Sequence, residues 1–190
     1  MATTTAPDTR ERILRITLEL IGDEGIAAVT NRRIATAAEV SLGSLTYHFP
    51  SQVELLRGSL LLFVGEEVAR LEGIAAEMRS RRPSMAEVMV EVERLIGETS
   101  NRLQQLAEIE LHLRAARDPA LREASRRCFE AYEGVARAAL EMLGVRDAGR
   151  HARAVVTLMY GFALRQLGTG QEDPAGVVDA LSTIVRGAGR

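Results

Sequence analysis

Lysine and tryptophan are absent from this 190-residue chain, and cysteine occurs once. All 24 basic residues are arginines, a bias shared with Ala and Gly that points to a GC-rich coding sequence and carries no functional implication. Aromatic residues make up only 4% of the chain, so a core must be built from Leu, Val, Ile, Ala and Met, a mix that favours helix over strand. The hydrophobic fraction of 46% is ample for such a core. A lone cysteine, Cys128, excludes an internal disulfide, fits a reducing cytosol and reads as a buried structural thiol. The segment from Met1 to Pro7 has no basic stretch followed by an apolar run, so no signal peptide is expected; it reads as a disordered tail. The longest apolar run, Leu60 to Val64, is far too short to span a bilayer. These absences predict a cytoplasmic chain with no membrane partner. A net charge of −2 argues against a generic polyanion binder, so any nucleic-acid contact must rest on a local surface.

Period-two alternation is also missing, which excludes a sheet and leaves an all-α chain of about nine helices. Asp8 with Glu11 has the spacing of a capping box, and Ile13, Thr17, Leu20 and Ile21 carry a helix over 9–24 to a stop at Gly25. Thr30 caps a short helix with Ile34, Ala35 and Ala38 on one face, and Ser41 caps a shorter one over 42–48 that ends before Pro50. Ser51 with Glu54 opens a long helix towards residue 78, and Ser84 with Glu87 opens another that carries Met85, Val88, Met89, Val92 and Ile96. Further helices are expected over 101–117, 120–143, 148–168 and from Asp173-Pro174 to about 186.

The stretch from Thr30 to Phe49 carries the functional signal. Two short helices joined by a turn of roughly three residues have the layout of a helix-turn-helix. The 42–48 helix is too short to stand alone, so Leu45 and Phe49 must pin it from behind. Its other face holds Leu42, Ser44, Thr46, Tyr47 and His48, a set of hydroxyls, an aromatic ring and an imidazole suited to phosphates and base edges.

Thr30, Ile34-Ala35, Val40-Ser41, Gly43, Leu45, Tyr47-His48-Phe49 and Leu55-Leu56 together resemble the DNA-binding head of the TetR (tetracycline-repressor-like) family over about residues 9–57. Three positions depart from that family's pattern. Glu39 stands at the usual turn glycine, Thr46 replaces a backbone-touching tyrosine, and Gln52 replaces a phosphate-neutralising lysine. With six arginines against seven acids in residues 1–57, the head is not basic, which implies fewer phosphate contacts and a shallow salt dependence. The resemblance implies that Thr30 and the adjoining helix start hold a phosphate and that Arg32 reaches a base in the major groove. It places Leu42, Gly43 and Ser44 nearest the bases and Ser41, Thr46, Tyr47, His48 and Gln52 on the DNA side, with Arg33 a solvated charge. A single head is too small for useful specificity, so a homodimer on a palindromic operator of double-stranded DNA is expected.

The remaining chain divides as a head over 1–52 and a C-terminal effector-binding and dimerisation body over 53–190. The resemblance implies that the last two helices pair with their symmetry mates, and Val155, Leu158, Phe162, Val177, Leu181 and Ile184 supply the apolar surface, though they also suit an ordinary intramolecular core. On a wheel for 101–117, Leu103, Leu106 and Leu113 mark an apolar face with Glu110 at its centre, and His112 points away to the surface. A buried carboxylate needs a partner, so Glu110 reads as an effector contact, as an ion pair with Arg114 or Arg117, or as a residue exposed at the helix edge. Met78, Met85, Met89, Phe129, Tyr132, Met159 and Tyr160, with Leu106 and Leu113, are the other candidate lining residues for an unidentified small-molecule effector, though each also suits ordinary core.

Enzymatic function has no support in the motifs. There is no Gly-rich phosphate loop, nucleophile elbow, Cys/His cluster or Glu-x-x-His pair, so no catalytic residue, metal or cofactor is expected; Glu108 and His112 sit one turn apart but do not make a site by themselves. A rival reading is a helical interaction module whose neutral head no longer binds DNA. The preferred one is a ligand-responsive repressor released from its operator by an effector.

Overall fold

The computed structural model describes residues 8–26, 29–81, 87 and 102–188, with backbone alone at 102–104 and 188. The helix expected from Ser84, the N-terminal tail and the Leu103 side chain lie outside these residues. Eight helices and no strand occur among the described residues: α1 Thr9–Glu24, α2 Asn31–Ala37, α3 Leu42–His48, α4 Gln52–Arg81, α5 Arg102–Ala115, α6 Pro119–Met142, α7 Ala148–Thr169 and α8 Pro174–Ala188. None is long and apolar enough to cross a membrane.

Side-chain caps fix most of the starts that matter. Thr30 accepts from the Arg33 N–H at 3.3 Å, Ser41 from Ser44 at 3.0 Å and Ser51 from Glu54 at 3.2 Å, each closing an otherwise orphaned donor. The capping box expected at Asp8 is not formed: Asp8 makes no side-chain cap bond, and Glu11 instead pairs with Arg15 one turn on at 2.8 Å. Arg15 also reaches Glu66 of α4 at 2.5 Å, tying α1 to the long helix.

The turn after α2 explains the departure at Glu39. The Val40 N–H bonds to the Ala35 carbonyl at 2.9 Å and the Glu39 N–H to Thr36 at 3.2 Å, the paired bonds of a Schellman ending. Such an ending needs a left-handed residue just past the helix, and Glu39 takes that place with φ +52°. A side chain there costs about 1 kcal/mol that glycine avoids. Glu39→Gly is therefore expected to stabilise the head by about 0.5–1 kcal/mol after the extra unfolded-state entropy of glycine is set against it, read as a raised urea midpoint.

Two cores share one helix. In the head, Ile13, Leu14, Ile21, Val29, Ile34, Ala35, Leu45 and Phe49 pack around Leu55 and Leu56 from the first turns of α4. Further along α4, Leu60, Val64, Val68 and Leu71 pack in the body against Leu111, Leu121, Cys128 and Val135. With 30 residues, α4 is a rod of about 45 Å that belongs to both cores. A second link sits beside its start: Arg57 Nε lies 2.6 Å from Asp118 Oδ2, while Asp118 Oδ1 caps α6 by accepting from Ala120 at 3.1 Å. The Arg57 guanidinium holds the Asp118 carboxyl below the ordinary carboxylate range.

Candidate nucleic-acid face and buried polar cluster

Helix α3 is anchored on one side and open on the other. Leu45 is fully buried and Phe49 is 3% exposed, whereas Tyr47 is 83% and Leu42 48% exposed. Gly43, Thr46 and Ser41 are exposed beside them, and Ser44 and His48 are half-buried. The Tyr47 and His48 rings meet edge to face with centroids 5.4 Å apart. The Thr46 hydroxyl donates back to the carbonyls of Leu42 and Gly43, both at 3.1 Å, so it presents its methyl and an acceptor lone pair outward. Thr30 and Ser41 use oxygen lone pairs as caps, which leaves each hydroxyl hydrogen free for an outside acceptor.

The two adjacent arginines of α2 have different fates. Arg33 is tied to Glu24 of α1 by an ion pair. Arg32 is exposed and makes no ion pair among the described residues. Gln52 donates through Nε2 to the Val29 carbonyl at 2.6 Å, so it fixes the start of α4 to the strap before α2 and does not hang free as the replaced lysine would.

The body residues expected to form one pocket fall in three places. Glu110 is half-buried and pairs with Arg114 at 3.0 Å; the expectation that it lies at the centre of a buried face is corrected. Leu113 is 64% exposed, not inward. Both line an open groove of about 430 Å³ at the junction of α4, α5 and α6, with Arg57, Arg117 and Asp118. Met159 lines a recess of about 70 Å³ with Gln105, Phe162 and Val177. Leu106 is half-buried, and Met85 and Met89 lie outside the described residues.

Phe129 and Tyr132 instead join a buried polar cluster that the helical wheel did not reveal. The inward stripe of α5 is Gln105, Ala107, Glu108, Leu111 and Ala115. Glu108 is 5% and Glu67 of α4 6% exposed, and the Tyr132 hydroxyl lies 2.5 Å from Glu108 Oε1 and 2.7 Å from Glu67 Oε1. Arg70 grips Glu67 with Nε and Nη2 at 2.9 and 2.7 Å. His112 also turns inward, contrary to expectation. Its Nδ1 meets Ser125 Oγ at 2.8 Å, and its ring stacks on Phe129 at 4.5 Å. Tyr160 closes the wall, 4.8 Å from Phe129 and 5.9 Å from Tyr132 between centroids. His112 Nε2 and the Tyr160 hydroxyl are buried with no hydrogen-bond partner among the described residues. The described residues hold no group of three or more His, Cys, Asp or Glu placed to bind a metal.

Burial sets the charge states here. It pushes the Cys128 thiol up to about 12, which leaves it protonated and unreactive. Burial and the neighbouring Glu108 and Glu67 charges hold the Tyr132 phenol far above its ordinary range. Burial lowers the His112 imidazole to about 4, so the ring is neutral at pH 7. The unfolded chain takes up that proton near pH 6.5 and the folded one only near pH 4. Stability must then fall as pH drops through this window, because the unfolded state binds the extra proton. Relative to His112→Gln, the protein is expected to lose on the order of 1–2 kcal/mol more between pH 7 and pH 4, by urea titration, after allowance for the half-exposed ring.

On the outer side of the bundle, Leu158, Phe162, Leu181 and Ile184 are half-buried, and Leu164 and Val178 are 59% and 48% exposed. Of the other expected interface residues, Val177 is buried within the chain at 7% exposed, and Val155 is half-buried beside the small core of Leu140, Val145, Ala148 and Ala152.

The head-and-body layout has counterparts among known proteins. Residues 13–58 match the family described as bacterial regulatory proteins, tetR family, and residues 80–187 match the tetracyclin repressor-like C-terminal domain, which alone covers more than half the chain. The Rhodococcus jostii (strain RHA1) transcriptional repressor KstR is 29% identical over 135 residues, 71% of this chain. That match takes in about half of the relative's own length, 54%. Among solved structures, the Streptomyces coelicolor A3(2) protein SCO7518 is 34% identical, with 94% of this chain and 99% of that one superposed at a TM-score of 0.65. The multidrug binding protein EbrR, complexed with ethidium, is 28% identical over 93% of this chain and 98% of its own, with a TM-score of 0.65. With both the head and the body matched by models of one family, the chain belongs to the TetR family of bacterial transcriptional regulators.

Proposed function

We propose that the protein is a cytoplasmic, homodimeric repressor that binds a palindromic operator and leaves it when a small aromatic effector enters the body. The observation that carries this reading is α3, sealed from behind by Leu45 and Phe49 while Leu42, Gly43, Thr46 and Tyr47 face outward. Arg32 projects beside them with no competing carboxylate among the described residues and is assigned to a base edge. Thr30, Ser41, Ser44, His48 and Gln52 complete the DNA-facing set, with the phosphates held by the starts of α2 and α3. Dimerisation is assigned to α7 and α8 through Leu158, Phe162, Leu181 and Ile184, joined by the exposed Leu164 and Val178. The DNA-binding role is assigned to a head over 1–52 and the effector and dimer roles to a body from 53, although the first turns of α4 also pack into the head core.

The effector site is assigned to the cluster of Glu67, Glu108, His112, Phe129, Tyr132 and Tyr160. Buried carboxylates, a buried His112 Nε2 with no hydrogen-bond partner among the described residues, and an aromatic wall in one place support it. The EbrR complexes with ethidium and proflavin lend the same kind of support from related chains. The Arg57–Asp118 bridge offers the path by which a shift of α6 reaches the head. An effector acts only through its difference in affinity for the two head spacings.

Capture of genomic fragments by the purified protein, followed by sequencing, identifies the operator. On that operator Arg32→Ala is expected to weaken binding by about 1–3 kcal/mol and to relax the preference at one base position in each half-site. Binding as tight as the parent's removes Arg32 from its role.

A further inference from the structure

The open groove at the junction of α4, α5 and α6 repeats one pattern on two walls. On α4, Val53 is followed four residues on by Arg57; at the end of α5, Leu113 is followed four residues on by Arg117. Glu110 and Arg114 share that side of α5, and Asp118, Pro119 and Leu121 supply the rest of the lining. Val53 is 59% and Leu113 64% exposed, so both walls offer apolar surface to solvent. The groove holds about 430 Å³, inside the range of about 300–1,000 Å³ usual for small-molecule sites. It shares no residue with the buried polar cluster and none with α7 or α8.

Its charges do not cancel. Three arginines line the groove against two carboxylates, which leaves one positive charge in excess. Arg57 donates to Asp118 through Nε at 2.6 Å, and Arg114 to Glu110 through Nε at 3.0 Å. The Nη groups of both make no hydrogen bond among the described residues. Arg117 is exposed and makes neither an ion pair nor a side-chain hydrogen bond among the described residues. The start of α6 adds little for an anion, because Asp118 already caps the Ala120 N–H at 3.1 Å and Pro119 has no N–H to give. Recognition therefore falls to the guanidinium groups, whose paired terminal N–H groups match the two oxygens of a carboxylate.

We propose that this groove is a second small-molecule site, separate from the buried cluster, and that it takes an organic monocarboxylate with an apolar body. The carboxylate pairs with Arg117 and with the Nη groups that Arg57 and Arg114 leave open, while the apolar body covers Val53 and Leu113. One negative charge entering matches the one positive charge in excess. A cationic ligand would add to that excess. A bare phosphate of DNA would satisfy the arginines but leave the two apolar walls in water.

The test titrates the full-length protein at pH 7.5 with 2-naphthoate, its neutral near-isostere 2-naphthamide, and acetate, followed by ligand-observed NMR. Naphthoate is expected to bind with a dissociation constant on the order of 0.1 mM, and the amide and acetate each at least about tenfold more weakly. Arg117→Gln and Leu113→Gln, both at exposed positions, are each expected to weaken naphthoate binding about three- to fivefold with unchanged melting temperatures. Together they are expected to weaken it at least about tenfold. On the parent protein, naphthoate is expected to protect Arg117 from modification by phenylglyoxal, read by mass spectrometry, which locates the site even if a variant does not fold. No naphthoate binding up to about 5 mM, or amide or acetate binding as tight as naphthoate binding, overturns the proposal. So does naphthoate binding that both variants leave unchanged and that gives Arg117 no protection. If Arg117→Gln instead lowers operator affinity and the salt slope by about one while naphthoate stays unbound, the groove is a contact for DNA phosphates and the proposal falls.

Discussion

Leu45→Ala is expected to cost about 3–4 kcal/mol and to abolish operator binding near physiological temperature. Leu45 is fully buried at the back of α3, among Ile13, Ile34, Phe49 and Leu55. A seven-residue helix has too few internal hydrogen bonds to hold itself, so its shape is borrowed from that packing. Truncation removes three buried carbons and leaves a cavity that α3 cannot close without moving its outward face. The loss is a large part of a stability of about 5–15 kcal/mol for an ordinary domain. The control is Tyr47→Ala on the opposite face, 83% exposed, expected to change stability by no more than about 0.5 kcal/mol while weakening operator binding. Thermal unfolding by circular dichroism and operator titration separate the two effects. If Leu45→Ala keeps full stability, or if Tyr47→Ala unfolds the head, the assignment of back and front on α3 is reversed.

What the sequence made legible was punctuation and period. The ends of α1 and α6 were readable because Gly25 and Gly144 take positive φ of 77° and 70°, where a glycine belongs. The starts of α2 and α3 were readable because Thr30 and Ser41 are placed to accept the N–H three residues on. Helix α5 was misread because it packs against α1, α4, α6 and α7, so apolar residues occur on several sides of it. Leucines at 106, 111 and 113 do not define one stripe; Leu111 is fully buried, Leu106 half-buried and Leu113 exposed. The residue that decides the face is Glu108, which a wheel assigns to solvent. It can be buried because Tyr132 lies 24 residues on, and the same hydroxyl reaches Glu67, 65 residues back. No local pattern announces partners at those separations, and only packing of α4, α5 and α6 brings them together. The same reasoning covers Val177, whose apolar side chain suits a dimer face but is used up within the chain.

Tyr132→Phe should destabilise the protein by about 2–4 kcal/mol at pH 7.5, although it keeps the ring and its contacts. The phenol is the group that Glu67 Oε1 and Glu108 Oε1 both meet, at 2.7 and 2.5 Å. Arg70 remains on Glu67, while Glu108, a carboxyl group 5% exposed, loses its contact with the phenol. The sign of the pH effect follows from which state holds protons. Without the phenol, at least one buried carboxyl in the folded variant binds its proton more tightly than in the unfolded chain, so folding of the variant is favoured at low pH and penalised as pH rises. The gap between parent and variant should therefore be widest above pH 7 and narrow towards pH 5, as measured by urea midpoints at fixed ionic strength. Above about pH 4 His112 stays neutral in the folded parent and variant alike, so its own titration cancels in the comparison. A gap that stays constant from pH 5 to pH 8 would mean that the lost hydroxyl matters as a neutral hydrogen bond alone and that the two carboxylates do not depend on it for their charge state.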